Sequence, residues 1–345
     1  MPGAVDRLLV VGPSWVGDMV MAQSLFITLK AQSPQRELDV LAPAWSRPLL
    51  ARMPQVSAAL TLPFGHGQLA IAGRRELGKR LRPARYGQAI VLPNSFKSAL
   101  VPWFANIPRR TGWRGEWRYG LLNDLRILDG DLYPQMIQRF AALALDASSG
   151  LAEPPPRPRL EADKGEVARL REVFSLAEGR PSLALCPGAE FGDAKCWPPG
   201  HYAALAQYYL ERDWQVLLLG SENDRAATAA VTEALGVAHA CLDLAGETTL
   251  SEAIDLLSQA DAVVTNDSGL MHIAAALQRP LVAIYGATSP EFTPPQGERV
   301  ACQVSQIECA PCFQRTCPLE HHRCMRETPP GQVIARLDAL LAERP

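Results

Sequence analysis

The first 185 residues of this 345-residue chain contain no cysteine, so that half has no disulfide framework. Apolar runs are short throughout. None reaches the roughly 20 residues that a membrane-spanning helix needs. The opening MPGAVDRLLVV lacks a basic stretch followed by a long apolar one. It is expected to be a first strand rather than a secretory signal, and the protein is expected to be cytoplasmic. No G-x-G-x-x-G fingerprint follows a strand, which argues against a nicotinamide-dependent dehydrogenase. Neither a fixed-period repeat nor a nucleic-acid-binding module stands out.

What is present is a well-stocked core and an uneven charge distribution. Hydrophobic residues make up 48% of the chain, and the length fits two domains of ordinary size. The net charge of −2 hides an asymmetry: residues 1–150 hold 18 Lys+Arg against 10 Asp+Glu, the remainder 16 against 26. Most of the basic excess falls between Arg74 and Arg126. An anionic partner for the first half is one reading; a solvated basic face is the other.

Along the chain, short Val/Ile/Leu-rich runs ended by Gly or Pro alternate with helical patterns. RLLVVG (7–12), ELDVLAP (37–43), AALTLP (58–63) and QAIVLP (88–93) are expected strands, and residues 18–32 an expected helix. FKSALVPWFANI reads as a helix interrupted at Pro102. EPPPRPRL (153–160) is the expected linker, because consecutive prolines favour extended backbone. The second half repeats the alternation through SLALCPG, QVLLLG, DAVVTND and PLVAIYG, the last closing the sheet, with VIARLDALLAE as a final helix. Thr249 and Glu252 form a capping box before one of the helices. The fold expected is α/β: two doubly wound Rossmann-like domains facing a central cleft, over 1–155 and 156–328, with a helix at 329–345. In such sheets ligands bind outside the strand C-termini.

The loops at those ends carry the chemistry. DAVVTND runs through Ser268 and Gly269 into LMHIAAAL, a strand, a tight turn and a helix whose first N–H groups are free for an anion. Asp267 and His272 flank that turn; a plain N-cap followed by a core histidine is the alternative. Gly12-Pro13-Ser14-Trp15-Val16-Gly17-Asp18 has the four-residue gap of a P-loop, but Asp18 stands where the phosphate-binding lysine would be. There it is either a general base or an acid that simply favours a helix start. CPGAEFGDAKCWPPGHY supplies Lys195, a compact charge suited to a diphosphate leaving group or a solvated loop lysine. Glu222 ends another strand, where a carboxylate grips ribose hydroxyls, and Thr248 opens a helix near the same edge.

Four of the eight cysteines form C309-x2-C312-x4-C317-x6-C324, beside His321 and His322. The spacing fits no standard zinc finger; a reduced, loop-forming cluster and a structural zinc site both stay open.

SWVGDMVMAQSL, PNSFKSALVPWFANIPRRTGWRGEWRYGLLND, CPGAEFGDAKCWP, NDSGLMHIAAAL and YGATSPEFTPP together resemble the ADP-heptose:lipopolysaccharide heptosyltransferases, over nearly the whole chain. The second of these stretches most resembles the members that add a heptose to the first heptose of the inner core. The resemblance implies a GT-B fold, with the acceptor on the N-terminal domain and ADP-heptose on the C-terminal one. It implies inverting, metal-independent transfer of L-glycero-D-manno-heptose from ADP-heptose to heptosyl-Kdo2-lipid A, with no cofactor. By motif position it makes Asp18 the catalytic carboxylate and Lys195 the diphosphate-binding lysine. Glu222 becomes the ribose-binding acid and Thr248 a nucleotide contact, while Asp267, Ser268, Gly269 and His272 become the donor phosphate loop. Loop 190–194 varies within the family, and the cysteine cluster is outside its catalytic pattern.

The basic 74–126 region then fits a phosphorylated lipid A-core acceptor and peripheral contact with the inner membrane surface; no nucleic acid is expected. Another enzyme on the same scaffold, such as a sugar-nucleotide epimerase or the heptosyltransferase that acts one step earlier in the inner core, and a non-catalytic nucleotide-sugar-binding module are the competing functions.

Overall fold

The computed structural model describes residues 6–65, 67–146, 149–151, 154–236 and 240–343. It divides into two compact units, Met1–Pro158 and Arg159–Pro345. The division falls just past the expected boundary. Leu160 already donates its N–H to Ala276 O at 3.1 Å, and Arg159 pairs with Glu298 at 3.8 Å. Glu153, the first residue of the expected linker, lies outside the described residues.

Unit 1 holds six parallel strands: β1 (Arg7–Val11), β2 (Glu37–Ala42), β3 (Ala58–Thr61), β4 (Gln88–Val91), β5 (Arg109–Trp113) and β6 (Asp124–Arg126), in the order β3-β2-β1-β4-β5-β6. The winding reverses between β1 and β4, which pair directly. β1 and β4 are almost wholly buried, as a sheet covered on both faces demands. The Val16–Gln32 helix buries most of its surface, from Met19 through Phe26 and at Leu29, so its apolar residues run nearly all round rather than along one stripe.

β5 and β6 were not expected from the sequence. RRTGW and DLR carry charge where a buried strand carries Val or Ile. Their arginines are satisfied locally: Arg109 and Arg126 both reach Asp124, at 3.0 and 3.1 Å. Pro102 also differs from expectation. The chain is helical from Phe96 to Phe104, a 3-10 turn over Phe96–Ala99 running into the Leu100–Phe104 α-helix. Pro102 sits in the first α turn, where no intrahelical N–H is required, so the helix continues through it.

Unit 2 repeats the winding. β7 (Ser182–Cys186), β8 (Gln215–Leu218), β9 (Cys241–Asp243), β10 (Ala262–Asn266), β11 (Leu281–Tyr285) and β12 (Val300–Val304) are parallel, in the order β12-β11-β10-β7-β8-β9. The reversal lies between β7 and β10, both fully buried. PLVAIYG does not close the sheet, because β12 adds to its edge. β12 is only half-buried and contains Gln303, which hid it from an apolar pattern. The C-terminal helix, Pro330–Ala342, is no separate segment: Val333, Leu337 and Leu340 pack into the core of unit 2 with Leu183, Trp197 and Val216. Among the described residues no helix is long and apolar enough to cross a membrane.

Candidate functional site

The reversal point of a doubly wound sheet opens a crevice at the strand C-termini, because neighbouring connections leave on opposite faces. In unit 2 that point is flanked by the residues after β7 and β10. β10 ends at Asn266, Asp267 follows, and Ser268 caps the Gly269–Ala276 helix, its hydroxyl accepting the Met271 N–H at 3.4 Å. The strand, tight turn and Ser268-capped helix expected from the sequence are in place, an arrangement that both the anion-site reading and the plain N-cap reading share.

Lys195 reaches this turn from the loop after β7. Its ammonium donates to Asp267 Oδ2 at 2.6 Å and to Asp267 O at 3.4 Å, and Thr288 Oγ1 donates to the same carboxylate oxygen at 2.8 Å. The pair is well buried, with side chains 13% and 8% exposed. His272 is buried behind it. Burial, with a smaller contribution from Lys195, pushes its imidazole down to about 4 despite the opposing pull of Asp267. At neutral pH His272 is thus a neutral hydrogen-bonding group and not a second cation.

Asn266 explains why the Lys195 loop sits where it does. Its Oδ1 accepts Trp197 N–H at 3.1 Å and Tyr202 OH at 3.0 Å, while its Nδ2 donates to Pro187 O at 2.6 Å. This fully buried amide ties both ends of the loop to β10. Asn266 lies in the expected DAVVTND strand run, and Thr288 only in the YGATSPEFTPP stretch that carries the resemblance. Nothing in local pattern marks either residue; only the packing does.

Glu222 and Thr248 are not in contact with the Lys195–Asp267 pair. Glu222 follows β8 and pairs with Arg225 at 2.7 Å, which also holds Glu247 at 2.8 Å. Thr248 Oγ1 makes only a long 3.5 Å bond to Leu244 O. The Thr249–Glu252 capping box is present, with Thr249 Oγ1 accepting the Glu252 N–H at 3.3 Å.

In unit 1 the reversal point lies between β1 and β4, and Asp18 occupies the first turn of the helix after β1. Its carboxylate is half-buried and makes no hydrogen bond or ion pair among the described residues. Burial pushes its carboxyl up from 3.8 to about 6. The helix dipole favours the anion at this position, yet desolvation wins because no donor replaces the lost water. An unpartnered carboxylate with a pKa near neutrality is suited to taking a proton.

The loops after β4 and β5 reach the same edge and present half-buried Lys97 and exposed Arg114, Trp117 and Tyr119. Several basic residues of the 74–126 region serve internal roles. Arg74 donates to Leu69 O and Gln68 O, Arg110 to Leu121 O, and Arg118 to Pro93 O and Trp113 O. Most of the exposed positive charge is on and just after the Ile71–Leu81 helix, at Arg75, Lys79, Arg80, Arg82 and Arg85, with Arg109 and Arg114 exposed elsewhere. A cavity of about 260 Å³, lined by Gln32, Arg36, Gln88 and Arg109, lies at the opposite, N-terminal edge of the sheet and is no part of this arrangement.

No Asp-x-Asp metal motif was expected in the sequence, but Asp129-Gly130-Asp131 is one, and it forms a turn. Asp129 Oδ1 accepts the N–H groups of Asp131 and Leu132 at 3.0 and 3.1 Å, so it is engaged as a turn former.

The chain as a whole has relatives. Residues 74–323 match the model of glycosyltransferase family 9 (heptosyltransferase). The chain is 50% identical to lipopolysaccharide heptosyltransferase 2 of Salmonella typhimurium strain LT2, covering 98% of this chain and 99% of that one. It is 45% identical to lipooligosaccharide heptosyltransferase 2 of Haemophilus ducreyi, covering 97% and 99%. The solved structure of E. coli ADP-heptose lipopolysaccharide heptosyltransferase II superimposes with a TM-score of 0.87 at 47% identity, over 98% of this chain and 99% of that one. Two parallel sheets with the same reversed winding, a capped turn bearing the Lys195–Asp267 pair and an acid without a partner after β1 are thus found in a chain that belongs to glycosyltransferase family 9, the heptosyltransferases, and has the GT-B fold.

Proposed function

We propose that this chain transfers L-glycero-D-manno-heptose from ADP-heptose to the first heptose of the lipopolysaccharide inner core, inverting the anomeric carbon. The observation that carries the mechanism is Asp18, a half-buried carboxylate without a partner whose carboxyl is raised to about 6. The acceptor hydroxyl oxygen attacks the anomeric carbon, the bond from that carbon to the diphosphate breaks, and the hydroxyl proton passes to Asp18. The departing ADP takes up the charge of Lys195 and the free N–H groups at the start of the Gly269–Ala276 helix, with neutral His272 as a further hydrogen-bonding group. To bind the diphosphate, Lys195 exchanges Asp267 for phosphate oxygens. Glu222 holds ribose hydroxyls with the oxygen that Arg225 leaves free, and Thr248 contacts the nucleotide.

Unit 2 is accordingly the donor domain and unit 1 the acceptor domain. Lys97 and Arg114 offer charge to the acceptor's phosphates, and Trp117 and Tyr119 offer flat apolar faces to its sugars. The exposed arginines and lysine of 75–85 draw the enzyme to the anionic cytoplasmic face of the inner membrane.

Labelled ADP-heptose is the test, incubated with a monoheptosylated and with a heptose-free acceptor, followed by linkage analysis. Product from the monoheptosylated acceptor alone is expected. Product from the heptose-free acceptor would move the chain to the preceding transfer, and donor binding without turnover would leave a binding module.

A further inference from the structure

The Lys195 ammonium is not the only cation on its loop. It lies 4.7 Å from the centre of the Phe191 ring, and the Arg315 guanidinium lies 5.3 Å from the same ring. Arg315 comes from a distant stretch: between β12 and the helical turn at Arg323, the chain runs from Ser305 to His322 without regular secondary structure. Phe313 N–H, bonded to Ala287 O at 2.7 Å, fixes that stretch just beyond the end of β11. Arg315 O accepts the Ala194 N–H at 3.1 Å, which fixes it to the loop after β7. Position 192 must be glycine for this approach, since a side chain there would overlap the Arg315 carbonyl. Both anchors lie past strand C-termini, the edge where a doubly wound sheet binds its ligand.

The guanidinium itself is uncommitted. Arg315 is exposed, and among the described residues its side chain has no hydrogen bond and no ion pair. A guanidinium held over a ring face keeps its in-plane N–H groups free for a forked grip on phosphate oxygens. Lys195, by contrast, is committed, because Asp267 balances its charge at 2.6 Å. His272 behind the pair is neutral. Glu190 and Asp193 add two exposed carboxylates to the same loop. These groups together leave no net positive charge, and a helix start supplies only about half a charge. A sugar-linked diphosphate carries two negative charges and gains a third as it departs. One more cation is needed, and the fold places Arg315 on the Lys195 loop.

We propose that Arg315 is a second donor-binding cation, whose guanidinium, seated on Phe191, grips oxygens of the donor diphosphate beside Lys195. This rests on the reading of Lys195 as the diphosphate lysine and extends it. The two cations divide the work. Lys195 must exchange Asp267 for phosphate, whereas Arg315 gives up no anion and only its water. Its charge stays on the diphosphate as the bond to the anomeric carbon breaks, where a fixed cation counts most. No covalent step passes through Arg315. The Ser305–His322 stretch thereby has a function: it carries an arginine from beyond β12 to the crevice between β7 and β10.

The test is calorimetric titration of ADP and of adenosine into the full-length wild type, Arg315→Gln, Arg315→Lys and Lys195→Met/Asp267→Asn, over a salt series. Arg315→Gln should weaken ADP about ten-fold or more, the factor that goes with one charge-assisted hydrogen bond, and leave adenosine within about two-fold. The loss should shrink as salt rises. Arg315→Lys keeps the charge without the fork and should recover part of it. The bond from Ala194 N–H to the carbonyl of position 315 survives every one of these substitutions, so a loss confined to ADP reports the guanidinium and not the backbone brace. Equal losses for ADP and adenosine would mean that Arg315 only packs the loop, and would overturn the proposal. Wild-type ADP affinity in Arg315→Gln, with ADP weakened in Lys195→Met/Asp267→Asn, would also overturn it while the Lys195 site stands. If ADP affinity ignores both changes, the diphosphate lies elsewhere and both readings fall.

Discussion

The Lys195 ammonium and the Thr288 hydroxyl converge on one oxygen of Asp267, at 2.6 and 2.8 Å. In the proposed function this carboxylate holds the cation meant for the donor diphosphate, and donor binding would exchange one anion for another. Holding Lys195 in place before the donor arrives spares part of the cost of ordering a long flexible side chain.

Asp267→Asn should therefore destabilise the fold. Removing one partner of a buried pair leaves an uncompensated charge, at a cost of about 3–5 kcal/mol. Lys195→Met/Asp267→Asn should cost clearly less than the sum of the single variants, and ADP should recover part of the stability of Asp267→Asn. Urea unfolding of the four proteins with and without ADP measures this. Additive losses that ADP does not change would show that the pair is not the diphosphate site.

Asp18→Asn should do the opposite and stabilise the fold. The carboxyl rises from 3.8 to about 6 on folding, so ionising it in the native state costs up to roughly 3 kcal/mol. The stability that goes with a raised carboxyl is fully present below its unfolded pKa and is lost as pH rises through about 6. The gain in Tm from Asp18→Asn should be near zero at pH 4, grow between pH 4 and 6, and level off above that. A gain independent of pH would mean that Asp18 is not held charged against its environment.

Neutralising Arg75, Lys79, Arg80 and Arg82 should weaken binding to anionic vesicles, by about 1 kcal/mol for each charge near the surface, and less at high salt. Arg74 lies in the same run but is buried and bonded to two carbonyls, so replacing it should cost stability instead. Co-sedimentation over a salt series, with acceptor KM on the same variants, tests the patch. Unchanged sedimentation would make it only a solvated face.

The sequence exposed the parts of this molecule that follow local rules. β1, β4, β7 and β10 are apolar runs between turn formers because their sheets are buried on both faces, and Ser268 at a helix start is written in its neighbours. What stayed hidden depends on packing between distant segments. β5 carries arginines because Asp124 of β6 neutralises Arg109. Asn266 looks like any strand end until Trp197, Tyr202 and Pro187 close around it. The run of basic residues suggested one patch, whereas Arg110 and Arg118 turn inward to backbone carbonyls. Glu222 was expected to stand free for a ribose, but Arg225 already holds one of its oxygens.

Magnesium should leave the transfer rate unchanged. Asp129, the first acid of the Asp-x-Asp pair, is occupied as a turn former, and in the proposed function Lys195 with a helix start supplies the positive end for the leaving diphosphate. Rates of desalted enzyme with and without added magnesium measure this. Strict magnesium dependence would contradict the assignment of leaving-group stabilisation to protein groups.

The central claim is that Asp18 takes the acceptor proton, and steady-state kinetics of Asp18→Asn beside calorimetric donor titration tests it most directly. The account predicts that ADP-heptose affinity stays near wild type while kcat falls about 10²–10⁴-fold. It also predicts that the wild-type rate falls as pH drops through about 6, the point to which burial raises this carboxyl. A folded Asp18→Asn protein that turns over at the wild-type rate would contradict it.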